Sequence, residues 1–165
     1  MPSVSANGID IAYDTFGKTG SPPLLLIMGL GRQLVFWDEA FCRQLADRGL
    51  YVIRFDNRDA GLSTKFGAFG VPDIGKTISA VMEGRAPNVP YTLDDMADDA
   101  KGLLDALGIE KANICGISMG AAITQTIGYR HPQKVLTLIP IMGSTGNPGL
   151  PQPEPKAMEY LFTPA

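Results

Sequence analysis

Residues 116–120 read Gly-Ile-Ser-Met-Gly, with the apolar run Ile114-Cys115 before them and Ala121-Ala122 after. A serine set between two glycines, after an apolar stretch and before small residues, has the pattern of a nucleophile on a sharp strand-to-helix turn. The two glycines relieve crowding in so tight a turn. The small residues behind them let the following helix approach the sheet. An oxygen in this position can attack a carbonyl carbon once a base removes its proton. The N-terminus of the helix behind Ser118 offers unpaired N–H groups and a positive dipole end, which would stabilise the resulting oxyanion. Ser118 could instead serve only as a helix N-cap; its place directly after a buried strand favours the nucleophile.

Such a serine needs a base and an acid. The chain contains one histidine, His131, further along the expected helix. At 1.5 Å per residue it lies about 20 Å from Ser118, whereas a base must come within about 3 Å, directly or through one water. A helix-end role, meeting the last carbonyls, is expected for it. After Ser118 the carboxylates are Glu154 and Glu159, both in a proline-rich tail. Asp56 and Asp59 sit on an earlier turn, where stabilising that turn or pairing with Arg58 is expected. The two cysteines, Cys42 and Cys115, are too few for a disulfide framework and lack metal-ligand spacing. Cys115, in an apolar run, is expected to be a small buried hydrophobe; neither cysteine is expected to be functional, and neither a metal nor a cofactor is implied.

The elements that must hold Ser118 follow from patterning. Asn7-Gly8 is a hairpin turn signal, and Ile9 to Asp14 alternates as a half-buried strand does. Leu24 to Met28 is continuously apolar, as in a strand covered on both faces. Trp37, Phe41 and Leu45 recur four apart, predicting a helix over Trp37 to Arg48 that stops at Gly49. Tyr51 to Phe55 is the next strand. Thr92 caps a helix whose stripe is Leu93, Met96, Ala97, Ala100, Leu103, Leu104 and Leu107, ended by Gly108. Ala112 to Ile117, the helix after Ser118, and Val135 to Ile141 complete the series. Strands alternating with helices predict an α/β fold, a mostly parallel sheet with helices on both faces. Ligands in such sheets gather at the carboxyl ends of the strands, where Ser118 lies. Residues 65–91, with a short helix expected over Lys76 to Glu83, form a long connection that fits a binding rim or a solvated loop equally.

The composition bounds the function. A chain of 165 residues, 45% hydrophobic and 19% charged, has the make-up of a folded globular protein. A net charge of −3 leaves no basic stripe for nucleic acid. Its apolar runs fall short of the roughly 20 residues that cross a bilayer. The opening MPSVSANGID has no basic segment followed by an apolar one, so a cytoplasmic setting is expected.

PPLLLIMGLG, YVIRFDNRDAGLST, YTLDDMADDAKGLLDALGI and NICGISMGAA together resemble the N-terminal half of an α/β-hydrolase, from about Ile9 to Ser144. DNRDAGLST and YTLDDMADD are similar to a subgroup of carboxylic ester hydrolases that includes the anthracycline methylesterases. The resemblance implies that Ser118 is the nucleophile and that the Met119 backbone N–H is one oxyanion donor. It implies a second donor at the Leu30 N–H, with Gly29, Gly116 and Gly120 as support. Many relatives read His-Gly in the loop where this chain reads Met28-Gly29, which removes a side chain that often orders it.

In that family the order is Ser, then Asp or Glu, then His. The expectation is therefore an incomplete α/β-hydrolase core over residues 1–146. The start of a cap or linker follows at 147–165, with the last core strands and most of the cap absent. The expected activity is that of a serine carboxylic ester hydrolase, acting on a small-molecule ester once a complementary C-terminal segment supplies Asp and His. Amidase or peptidase, lactonase, thioesterase and cofactor-free haloperoxidase chemistry, or a non-catalytic ligand-binding role, are the alternatives. The last strand is expected to leave an apolar edge open to self-association.

Overall fold

The computed structural model describes residues 1–71, 73–147, 149–151 and 154–157. Of the stretch 147–165, residues 148, 152–153 and 158–165, Glu159 among them, lie outside the described residues. The chain opens with a hairpin, β1 (Ser3–Ala6) against β2 (Ile9–Phe16), turned by Asn7 at φ 50° and Gly8 at φ 75°. Asn and Gly tolerate the positive φ that this tight turn demands. β2 pairs antiparallel with β4 (Tyr51–Phe55), and from there the sheet is parallel through β3 (Pro23–Ile27), β5 (Ala112–Ile117) and β6 (Val135–Ile141). The order across the six strands is β1-β2-β4-β3-β5-β6.

Alternation along the central strands divides the core in two. Leu25 and Ile27 of β3, with Ile53 and Phe55 of β4, point to one face, under α3 (Leu93–Ala106) and α4 (Met119–Arg130). Leu24, Leu26 and Val52 point to the other, where Trp37 and Cys42 cover them, the latter on α1 (Glu39–Asp47). Helices on both faces are what a parallel sheet needs to bury its strands.

Two helix starts depart from the sequence expectation. The first helix begins at Glu39, not Trp37, because the Asp38 carboxylate accepts from the Ala40 and Phe41 N–H groups and caps it. Trp37 lies before the helix and is buried, while Phe41 is exposed and stacks on it at 6.0 Å. Second, the short helix in the long connection, α2 (Ile74–Met82), starts slightly earlier than expected and is capped by Asp73. Arg54 in the apolar β4 is buried; it pairs with Asp14 at 2.8 Å and lies 4.9 Å from the Phe16 ring. The α3 stripe runs as expected from Met96 to Leu104, although Leu93 is exposed. Gly108 follows with φ 69°.

β6 differs from its neighbours. Among the described residues the one strand it pairs with is β5, and Leu136, Leu138, Ile139 and Ile141 are all exposed. Among the described residues, no helix is long and apolar enough to cross a membrane.

Candidate active site

β5 ends at Ile117 and α4 begins at Met119, so Ser118 occupies the whole turn between them. Its backbone has φ 57° and ψ −119°, a combination that residues with a Cβ rarely adopt. Its N–H donates to the Ile141 carbonyl at 2.9 Å, and its own carbonyl accepts from the Ala121 N–H at 2.9 Å. The turn lifts the Ser118 side chain into the open, and the residue is exposed.

The flanking glycines are there for space. A Cβ on Gly116 would lie 2.0 Å from the Gly120 carbonyl oxygen and 2.4 Å from Thr124 Oγ1. One on Gly120 would lie 2.2 Å from the Ile27 carbonyl oxygen and 2.9 Å from that of Met28. Real Cβ atoms do not come that close, so the first turn of α4 packs backbone to backbone on β5 and on the end of β3. Gly29 completes the contact from the other side, because its Cβ would fall 3.2 Å from Ser118 Cβ. Crowding was the sequence expectation at Gly116 and Gly120, and Gly29 shares it here.

The loop after β3 therefore runs directly beside Ser118. Leu30 is 75% exposed, with its side chain in solvent. Met119 is the first residue of α4, where an N–H has no partner within the helix. Gly29, Leu30, Asn57, Tyr91, Met96 and Met119 line a cavity of about 180 Å3. A wider hollow of about 450 Å3, bordered by Phe66, Val71 and Val89, shares Asp59 and Tyr91 with it. The 65–91 connection thus forms part of the rim around the cavity.

The turn after β4 is held together by its own side chains. Asp56 Oδ1 accepts from the Leu34 N–H at 2.7 Å and Oδ2 from the Leu62 N–H at 2.8 Å, a turn-stabilising role as expected. Asp59, at φ 65°, accepts from the Phe66 N–H at 2.7 Å and from the Tyr91 hydroxyl at 2.6 Å. Burial, and then the hydrogen bond to Asp59, push the Tyr91 hydroxyl up to about 12. Arg58 pairs with neither aspartate. Its guanidinium meets the buried Asp99 of α3 through Nε at 2.7 Å and Nη2 at 2.7 Å, with the Phe66 and Tyr91 rings at 5.2 and 4.9 Å. Burial works against that charge, but the bonds to Asp99 outweigh it and hold the Arg58 pKa above its ordinary value. Asn7 adds a hydrogen bond to Asp99 at 2.8 Å. Asp99 and Asn57 were not singled out from sequence. Asp99 could have been, as a charge inside an otherwise apolar helix stripe.

His131 lies past the far end of α4, away from Ser118. Its Nε2 is 2.6 Å from Asp98 Oδ1, so the ring meets a carboxylate of α3, while the backbone N–H donates to the Ile127 carbonyl at 2.8 Å and closes the helix. Glu154 is exposed and on no strand end. Cys42 and Cys115 are buried and free, and burial pushes both thiols up. Among the described residues no group of three or more His, Cys, Asp or Glu could hold a metal ion.

These features agree with what the chain is similar to. It is 30% identical over 145 residues to rhodomycin D methylesterase of Streptomyces sp. (strain C5), covering 87% of this chain and 43% of that protein. It is 28% identical over 132 residues to 3-oxoadipate enol-lactonase 2 of Acinetobacter baylyi, covering 80% of this chain and 41% of that one. The crystal structure of an enol-lactonase from Burkholderia xenovorans superposes with a TM-score of 0.62 at 28% identity, over 81% of this chain and 44% of that one. The chain thus spans less than half the length of these relatives. The model of the family described as alpha/beta hydrolase fold matches residues 22–162, a stretch that takes in the sheet from β3 onward, the glycine-framed turn and the loop beside it, and the chain belongs to that family.

Proposed function

We propose that this chain is the nucleophile-bearing part of a serine carboxylic ester hydrolase. The observation that carries the reading is Ser118: exposed at the carboxyl end of β5, at positive φ, with Gly29 of the β3 loop packed against its Cβ. Ser118 Oγ attacks the ester carbonyl carbon as a histidine takes its proton. The Leu30 and Met119 N–H groups hold the negative oxygen of the tetrahedral intermediate. Collapse breaks the bond to the alcohol, which leaves with the proton. Water then hydrolyses the acyl-serine to a carboxylic acid and free Ser118. The histidine and its acid come from polypeptide beyond residues 1–165, seated along the outer edge of β6. A lactone is an internal ester, so the same steps serve the chemistry named for the methylesterase and enol-lactonase relatives. The scheme calls on no metal or cofactor.

The test is intact mass after exposure to a fluorophosphonate, which forms a serine–phosphorus bond and releases fluoride. The 165-residue chain alone is expected to stay unlabelled. Joined to a histidine-bearing complement, it is expected to take one adduct on the Ser118 peptide and to hydrolyse a small ester. An active preparation with the adduct elsewhere, or with Ser118→Ala still active, overturns the reading.

A further inference from the structure

The loop after β3 runs beside Ser118 through Gly29 and carries the Leu30 N–H, so something must order its peptide planes. We infer that Asn57 does so: it is a positioning residue that sets the peptide planes of the β3 loop carrying the Leu30 N–H. This rests on the ester-hydrolase reading for its catalytic consequence, though not for its geometry.

β3 and β4 are parallel, with Ile27 opposite Phe55. The residues just past both strands therefore leave the sheet side by side. Asn57 is 4% exposed and its Nδ2 donates to the Met28 carbonyl at 2.9 Å. The preceding Asp56, 2% exposed, takes the Leu34 N–H at the other end of the same loop. Two consecutive side chains thus clamp both ends of the segment from Met28 to Leu34. Asp56 cannot shift to follow the loop. It is fixed to the Leu62 N–H, its carbonyl accepts from Ser63 Oγ at 2.6 Å, and a Cβ on Gly61 would lie 1.9 Å from its Oδ2.

Between the clamped ends, among the described residues, the loop is held by one backbone hydrogen bond and by the Arg32 guanidinium, 4.7 Å from the Phe36 ring. The Gly29 carbonyl accepts from the Arg32 N–H at 3.3 Å. A trans peptide places its C=O and N–H on opposite sides. Turning the Gly29 carbonyl toward Arg32 therefore aims the Leu30 N–H the other way. The Met28 peptide, which Asn57 holds, sets the plane from which this turn starts. A buried carbonyl deprived of its donor seeks another. Without Asn57 the Met28 carbonyl would rotate and carry the next two peptides with it.

The experiment has two arms. In the 165-residue protein, the 15N order parameter of the Leu30 amide is expected to be near the rigid value of about 0.85. It should fall below about 0.6 in Asn57→Leu, which keeps the bulk and loses the donor. Amides of α4 should not change. Asn57→Ala, which leaves a hollow, should behave alike if the leucine does not fold. Ile127→Ala, a core truncation away from the loop, should leave Leu30 rigid. In the complemented enzyme Asn57→Leu should lower kcat at least about tenfold with KM within about twofold, as expected for a misplaced oxyanion donor.

A Leu30 amide equally rigid without Asn57, or loosened as much by Ile127→Ala, overturns the inference. So does loss of order with kcat unchanged in an enzyme that Ser118→Ala silences. If the wild-type enzyme turns over no ester at all, the ester-hydrolase reading falls, while the order parameters still decide the role of Asn57.

Discussion

The strand ends around Ser118 and the outer flank of β6 belong to one sheet but are finished differently. At the first, backbone touches backbone through Gly29, Gly116 and Gly120, and the polar side chains of Asp56, Asn57, Arg58 and Asp99 are buried and paired. At the second, four aliphatic side chains are partly exposed and, among the described residues, no further strand lies beside β6. The first region is closed by contacts among its own residues and by the Ser118 N–H bond to the Ile141 carbonyl at the end of β6. The second leaves aliphatic surface partly exposed.

That contrast can be tested from both sides. Ser118→Ala in the complemented enzyme should cost at least about 10^4-fold in ester turnover while the fold is unchanged; steady-state kinetics with circular dichroism would decide. Asp99→Ala leaves the Arg58 charge buried without its partner and should cost about 3–5 kcal/mol in urea unfolding. A loss under about 1 kcal/mol would mean that the tie between the β4 turn and α3 matters little. Gly116→Ala must displace the Gly120 carbonyl and should cost about 3 kcal/mol, the upper end for overpacking. On the open flank, the 165-residue protein should associate as its concentration rises. Ile139→Lys should weaken that association at least about tenfold by sedimentation, since a lysine on an edge strand opposes pairing. A wild-type chain that stays monomeric would break the contrast.

The smallest effect concerns the link between α3 and α4. Burial alone would raise the Asp98 carboxyl, but hydrogen bonds from Arg130 and His131 outweigh it and hold the group below the usual carboxylate range. A carboxyl depressed in the folded state stabilises it above the unfolded value near about 3.9, and that contribution is lost as pH falls through the folded value. Asp98→Asn should therefore cost about 1 kcal/mol at pH 7 and progressively less toward pH 2. Equal losses at both pH values would rule out this linkage.

Much of the frame was legible because it is written in local patterns. Asn7-Gly8, the continuous Leu24 to Met28, the Met96 to Leu104 stripe and the glycine-flanked Ser118 each announce an element by spacing alone. What was not legible depends on pairing across the fold. Arg58 stands beside two aspartates in sequence yet reaches Asp99, 41 residues away. Asn57 looks like any polar turn residue until the parallel register brings it beside Met28. Trp37 shares the spacing of Phe41 and Leu45, but Asp38 starts the helix after it, because a carboxylate that takes two N–H groups outweighs periodicity.

Consider last the freedom left to evolution at the turn. Residues 116 and 120 admit no atom beyond Cα, whereas the side chain at 118 stands in open space. The steric frame and the residue it presents are thus encoded separately. Any side chain at 116 or 120 disturbs the packing of α4 on the strand ends. On the proposed reading, a change at 118 would exchange one reagent for another more readily than a change at the glycines could move where the attack is delivered.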